Sequence, residues 1–124
     1  MAGVEILDAI AEKAREIGRL LSRTPEYESL KRANQQLGED REAVTDMNRL
    51  AELEQQITSD LRSGNEPSAE VQEEYGSLAE QLQQRTAYQS VVAAQSNFER
   101  VMARINEEIA RGIESGEQSR IILP

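Results

Sequence analysis

The feature that most constrains the fold is the stretch of residues 25–63, in which apolar side chains recur at helical spacing and no proline follows the first position. The apolar stripe changes phase once along its length and comprises Leu30, Leu37, Val44, Leu50 and Ile57. Gly38 is the only glycine in the stretch and costs about 1 kcal/mol relative to alanine in a helix. We therefore predict one long central helix of about 57 Å. Its apolar stripe must be covered by another helix of this chain or of a second copy.

Shorter apolar repeats predict further helices on both sides of this stretch. The i, i+3, i+4 spacing that is typical of amphipathic helices extends over residues 4–22, 68–84 and 86–111. Thr24 can cap the long helix and Pro25 suits its first position, so we predict a break there. A second break is predicted at the loop of residues 63–68, which contains glycine and proline. Gly112 and Gly116 are predicted to end the last helix.

The last helix carries a heptad seam, because its apolar residues alternate in steps of three and four. The series runs through Tyr88, Val91, Gln95, Phe98, Met102, Ile105 and Ile109, in which Gln95 is the one polar member. The seam residues are Tyr88, Phe98, Met102, Ile105 and Ile109. Together with the stripe of the long helix, they are predicted to form the core or a dimer seam. The sequence thus predicts an all-α bundle of four to five helices. We expect a single helical domain over residues 1–113 and a C-terminal tail over residues 114–124.

The composition excludes most catalytic schemes, because the chain contains neither histidine nor cysteine. Nucleophilic catalysis that depends on a Ser-His or Cys-His pair is impossible, and so are standard zinc sites. Four acidic residues lie close together in the long helix, namely Glu39, Asp40, Glu42 and Asp46. They lack the spacing of a calcium loop and are interpreted as a solvated helix face. We expect no enzymatic activity, no metal and no cofactor.

The net charge of −9 is concentrated in the middle of the chain, since residues 33–84 hold twelve acidic and three basic side chains. Contact with phosphate depends on lysine and arginine, so direct binding of nucleic acid by this part is disfavoured. The first residues lack the pattern of a signal peptide, and no apolar run is long enough to span a membrane. We therefore expect a cytoplasmic protein without direct membrane contact.

Two groups of residues are candidates for binding a partner. Arg15, Arg19 and Arg23 are spaced four apart and form a basic stripe on the first helix, which could attract RNA or an acidic protein. The alternative is that they pair with acidic neighbours such as Glu12 on the same helix. The second group is the apolar cluster Ile121, Ile122 and Leu123. We predict that it lies beyond the last helix and packs against a dimer or an external partner.

The order of these elements resembles that of the YlbF/YmcA family of small bacterial helical proteins, from about Ile6 to Ile113. The first helix contributes Ile6-Leu7, Ala11 and Ile17, and the long helix opens with Tyr27-x-x-Leu30-Lys31-x-Ala33 and continues with Leu37-x-x-Asp40. The remaining matching positions are Gly64, Pro67, Tyr88, Ala94, Phe98, Ile105 and Ile109.

The resemblance implies an intertwined all-α homodimer without enzymatic activity. Some members of the family form larger complexes that serve as accessory factors of a membrane-tethered ribonuclease, and so affect competence, sporulation and biofilm formation. Members of that complex carry cysteines associated with an iron–sulfur cluster, which this chain lacks. An Asn-Pro pair that often opens the last helix is replaced by Thr86-Ala87. We expect a regulatory protein–protein interaction module, and the alternative is a small acidic chaperone-like or structural coiled-coil protein with no RNA link.

Overall fold

A computed structural model describes the backbone of residues 2–122 and the side chains of residues 3–118. The described residues form five α-helices and no strand, which confirms the all-α prediction. The helices are α1 (Ala2–Leu21), α2 (Pro25–Glu39), α3 (Arg41–Arg62), α4 (Ala69–Gln83) and α5 (Thr86–Ile122).

The prediction of one long central helix is wrong, because the chain breaks at Asp40 between α2 and α3. Asp40 has φ −83° and ψ 96°, which is extended backbone, and its side chain accepts a hydrogen bond from the backbone N–H of Ala43 at 3.1 Å. Aspartate is among the preferred residues at a helix N-cap, and Gly38 weakens the turn that precedes it. The apolar spacing was compatible with one helix, and it did not reveal this cap.

The two breaks predicted elsewhere are confirmed. Thr24 precedes α2, and its hydroxyl accepts a hydrogen bond from the backbone N–H of Tyr27 at 3.2 Å. In the loop between α3 and α4, Gly64 has a φ of 79°, a conformation that glycine adopts without a steric penalty. Ser68 then caps α4 by accepting a hydrogen bond from the N–H of Val71 at 3.2 Å.

The predicted end of the last helix is also wrong, because α5 continues through Gly112 and Gly116 to Ile122. Neither glycine adopts a positive φ. Strong helix formers lie next to each of them, Arg111 before Gly112 and Glu117 after Gly116, and such residues help to offset a cost of about 1 kcal/mol for each glycine. Ile121 and Ile122 therefore belong to the helical backbone, which corrects their assignment to a non-helical tail. Their side chains, like all of Leu123, lie outside the described residues.

The chain divides into two compact units. One contains the described parts of Met1–Leu30 and Ala94–Pro124, and the other is Lys31–Ala93. We call them the terminal unit and the central unit. The predicted division into a domain over residues 1–113 and a tail over residues 114–124 stays a prediction.

The core of the central unit forms where α3 packs against α4. Leu37, Ala43 and Leu82 are buried together, and the partly buried side chains that pack against them are Leu50, Ala87, Tyr88 and Val91. Leu53 on α3 is also completely buried. In the terminal unit, the rings of Tyr27 and Phe98 lie 5.5 Å apart in an edge-to-face arrangement, which is a favourable geometry for aromatic pairs.

Candidate protein-interaction site

The predicted seam residues differ widely in burial. Leu37 is buried, whereas Met102 and Ile109 are 37% and 51% exposed. The other seven are partly buried, namely Leu30, Val44, Leu50, Ile57, Tyr88, Phe98 and Ile105. Leu37, Leu50 and Tyr88 meet in the core of their own central unit. Their assignment as dimer contacts stays a prediction.

The first helix carries several large apolar side chains that are exposed. The α1 apolar surface is defined by Val4, Ile6, Leu7, Ile10 and Leu20, all of which are more than half exposed. The first turn holds Glu5 and the last turn Arg19, which complement the helix dipole. Helices of this amphipathic pattern normally bury their apolar face. Among the side chains of this helix that the structure describes, Ile17 and Leu21 are the partly buried ones.

A second apolar surface lies on the later part of α5. The α5 apolar surface is defined by Met102, Ile109 and Ile113, which are 37–63% exposed. Their spacing of seven and four residues places them on one face of the helix. Scattered exposed apolar residues are normal on protein surfaces. Contiguous apolar patches, in contrast, mark interaction sites, which makes the α1 and α5 apolar surfaces the candidates in this chain.

The basic stripe predicted on α1 is accessible. Arg15, Arg19 and Arg23 are all exposed. Among the side chains that the structure describes, no carboxylate lies within 4 Å of any of the three. The pairing with Glu12 and its neighbours is thus not formed among these side chains, and the assignment of the stripe to partner binding stays a prediction.

An ion group that the sequence did not reveal joins two of the three breaks in the central unit, the one before α3 and the one before α5. Arg85 is the single residue between the C-cap of α4 and the start of α5. Its Nη2 lies 2.6 Å from Glu42, its Nη1 lies 3.5 Å from Asp40 and its Nε lies 3.7 Å from Asp46. We call these four residues the Arg85 ion group. Three of the four acidic residues interpreted as a solvated face thus surround one cation.

The electrostatics of this group follow from its geometry. The hydrogen bond to Glu42, with the nearby charges of Asp40 and Asp46, raises the pKa of Arg85 despite partial burial. The Nε of Arg85 and the Oδ2 of Asp46 are buried without a hydrogen-bond partner. One sequence signal could have pointed to the group, because Arg85 is the first basic residue after Arg62 in a strongly acidic segment.

A second ion pair joins α3 to α4. Arg49 donates from Nε and Nη2 to the two carboxylate oxygens of Glu74, at 2.6 Å and 2.9 Å, which is the bidentate geometry that favours arginine–carboxylate pairs. This contact lowers the pKa of Glu74. The hydroxyl of Tyr75 donates to Glu54 at 3.0 Å, and this hydrogen bond raises the pKa of Tyr75. These contacts fix α4 against α3 and do not resemble a catalytic arrangement.

The described residues contain no group of acidic side chains arranged to hold a metal ion. None of the helices that they form combines the length and apolar composition needed to cross a bilayer. What the chain offers is a small all-helical scaffold with two uncovered apolar helix faces and an exposed basic stripe. These features are typical of a protein that binds other proteins.

Comparison with known protein families identifies the family of this chain. Residues 10–114 match the family described as "Control of competence regulator ComK, YlbF/YmcA". Since the match covers most of the chain, this protein belongs to the YlbF/YmcA family, and the resemblance seen in the sequence is confirmed. The description is that of a regulatory family and not of a known enzyme family. A search of curated proteins found no match.

Proposed function

We propose that this chain is a non-enzymatic regulatory protein that acts as a homodimer in the cytoplasm by binding another protein. The observation that carries the proposal is the α1 apolar surface, with side chains at positions 4, 6, 7, 10 and 20 each more than half exposed. Membership of a family described as controlling the regulator ComK supports a regulatory role. The absence of histidine and cysteine from the whole chain argues against catalysis.

The amount of exposed apolar surface supports the proposed homodimer. Covering the exposed half of a large apolar side chain gains about 1 kcal/mol. In a two-fold arrangement each contact occurs twice, so the five residues of α1 contribute about 10 kcal/mol. Association costs an estimated 4–15 kcal/mol. A stable dimer therefore needs both the α1 and the α5 apolar surfaces, and we propose that the two copies cover these surfaces on each other.

The proposed role is that of an accessory factor in a ribonuclease assembly. The acidic central segment, with twelve acidic and three basic residues over 33–84, disfavours direct contact with RNA. The chain would therefore act on RNA processing through a protein partner. Arg15, Arg19 and Arg23 are proposed to contact acidic side chains of that partner. The docking of Ile121, Ile122 and Leu123 on a dimer or partner also remains a proposal.

Capture of partners from a native lysate tests this role. The bait is the tagged full chain, with Arg15→Glu/Arg19→Glu as the test variant and Ser96→Glu/Asn97→Glu as a control at exposed positions of α5. Enrichment of ribonuclease subunits by the wild-type chain and the control, with loss in the test variant, supports the proposal. If no ribonuclease component is enriched above an untagged control, the RNA-processing role is contradicted.

The alternative from a different class is a small acidic chaperone-like or structural coiled-coil protein without an RNA link. The acidic character of the central segment favours it, because highly charged surfaces keep bound clients soluble. In the same capture experiment this alternative predicts a broad set of nascent or unfolded chains instead of defined subunits.

A further inference from the structure

The break at Asp40 changes the face of α3 that is buried. On α2, Ala33 and Leu37 are buried. A continuous helix would carry that face on to Val44, Met47 and Ala51, which lie in the same heptad register. On α3, the residues protected from solvent are Ala43, Val44, Asp46, Leu50, Leu53, Ile57 and Asp60. Val44 is shared with the continued face, and the others form a separate series. This series begins one residue earlier than the continuation would, and one residue corresponds to a rotation of about 100°.

The chain thus contains two apolar series along α3, and the bent form buries one of them fully and only Val44 of the other in part. Ala43 and Leu53 have no exposed surface, whereas Met47 is 38% exposed and Ala51 is exposed. The second series, which consists of Val44, Met47 and Ala51, matches the register of α2. This match is the reason why the sequence pattern predicts one continuous helix across Asp40. A segment whose sequence satisfies two packing arrangements has the property expected of a two-state element.

Side chains from two different breaks of the central unit meet at Asp40 and hold the bent form. Asp40 is the only non-helical residue between α2 and α3. Its Oδ1 accepts the capping hydrogen bond from Ala43 and also lies 3.5 Å from Nη1 of Arg85. Arg85 occupies the corresponding break between α4 and α5, so one ion group joins the two breaks. The group is incomplete, since Nε of Arg85 and Oδ2 of Asp46 lack hydrogen bonds.

We propose that Asp40 is a reversible hinge held by Arg85, and that α2 and α3 join into one continuous helix when this contact opens. In the joined form, Val44, Met47 and Ala51 lie in line with Leu37, and the Ala43–Leu53 face turns away from the present core. The hinge therefore determines which apolar side chains α3 presents to its neighbours. This device is independent of the proposed partner and of the proposed dimer.

A distance measurement across the break tests the hinge. Because the chain has no cysteine, spin labels can be attached at Gln35→Cys and Gln56→Cys, two exposed positions of the central unit. Dilution with unlabelled chain removes distances between copies. A continuous helix places the two backbone positions about 32 Å apart, and the bent chain gives a shorter distance. The wild-type background should show the shorter distance as its main component.

Two variants open the hinge, and one variant serves as the control. Arg85→Gln should add a component near 32 Å. Asp40→Ala removes the cap and introduces the best helix former. This variant should make the longer distance the main component. Arg49→Gln removes the other arginine that joins separate helices of this unit and should keep the wild-type distribution.

The proposal is overturned if Asp40→Ala keeps full helicity by circular dichroism and the wild-type distance. If Arg85→Gln does not fold, Asp40→Ala decides alone. If Arg49→Gln lengthens the distance as much as Arg85→Gln does, the specific role of Arg85 is overturned.

Discussion

At the residue scale, burial of Leu53 is expected to stabilise the small core of the central unit. It is the largest side chain without any exposed surface. Replacement of a buried leucine by alanine removes transfer energy and leaves a cavity, at a cost of about 2–5 kcal/mol. Leu53→Ala should lower the free energy of unfolding, measured by urea denaturation at fixed protein concentration, by an amount in this range.

Leu61 supplies the matched control for Leu53, because it lies on the same helix and is 62% exposed. Leu61→Ala should change the free energy of unfolding by no more than about 0.5 kcal/mol. Equal losses for the two variants would mean that the described core is not the one that stabilises the protein.

The bidentate pair of Arg49 and Glu74 predicts a dependence of stability on pH. Arg49 lowers the pKa of Glu74 below its ordinary value. The pair therefore stabilises the fold above the ordinary glutamate pKa of about 4.3, and this stabilisation is lost as the pH falls through the lowered pKa. Glu74→Gln should reduce the Tm at pH 7, and its difference from wild type should shrink progressively below about pH 4.

The neighbouring Glu73 controls for the loss of a charge. It is exposed and forms no ion pair with any side chain that the structure describes. Glu73→Gln should leave the Tm almost unchanged at pH 7. An equal effect of Glu73→Gln and Glu74→Gln would assign the change to net charge and not to the ion pair.

At the scale of elements, two glycines predict stability changes of opposite sign. Gly64 has a φ of 79° in the loop before α4, and an L-residue pays about 1–2 kcal/mol in that region. Gly76 lies inside α4 with open space around the position of an added Cβ. Gly64→Ala should therefore destabilise the protein by about 1 kcal/mol, and Gly76→Ala should stabilise it by about 0.5–1 kcal/mol. Urea denaturation of both variants checks the signs, and a gain from Gly64→Ala would contradict the loop geometry.

The helices and two of their breaks could be predicted from local signals. Thr24-Pro25 and Ser68 combine a capping side chain with a residue or loop that ends the preceding helix. The break at Asp40 escaped prediction because its cap interrupts a heptad pattern that continues in phase beyond it. The continuation of α5 past Gly112 was not predicted, because the glycines there indicated a helix end. Glycine only weakens a helix when the neighbouring residues favour it.

The candidate site was less predictable than the fold. The Arg85 ion group joins Arg85 to Asp40 and Glu42, which lie more than forty positions earlier in the chain, and no local spacing encodes such a contact. Helical periodicity identified apolar faces on α1 and α5 but not which of them the chain itself covers. Exposure is a property of the packed structure, and it identifies the α1 apolar surface, not the long central stretch, as the candidate interaction site.

At the scale of the whole molecule, we propose that two copies cover each other's α1 and α5 apolar surfaces. A chain of 13.9 kDa with this much exposed apolar area should associate at micromolar concentration. Aspartate within the α1 apolar surface would place a charge in the covered interface, which costs several kcal/mol. Leu7→Asp/Ile10→Asp should therefore weaken association, and Ser96→Asp/Asn97→Asp adds the same charge at exposed positions outside the α1 and α5 apolar surfaces.

Sedimentation equilibrium of these three proteins is the most direct measurement. The wild type and Ser96→Asp/Asn97→Asp should sediment with twice the chain mass at micromolar concentration. Leu7→Asp/Ile10→Asp should shift toward the mass of a single chain, with helicity retained by circular dichroism. A wild-type chain that sediments as a fully helical monomer at tens of micromolar would contradict the proposed dimer, and so would a Leu7→Asp/Ile10→Asp variant that dimerises as tightly as the wild type.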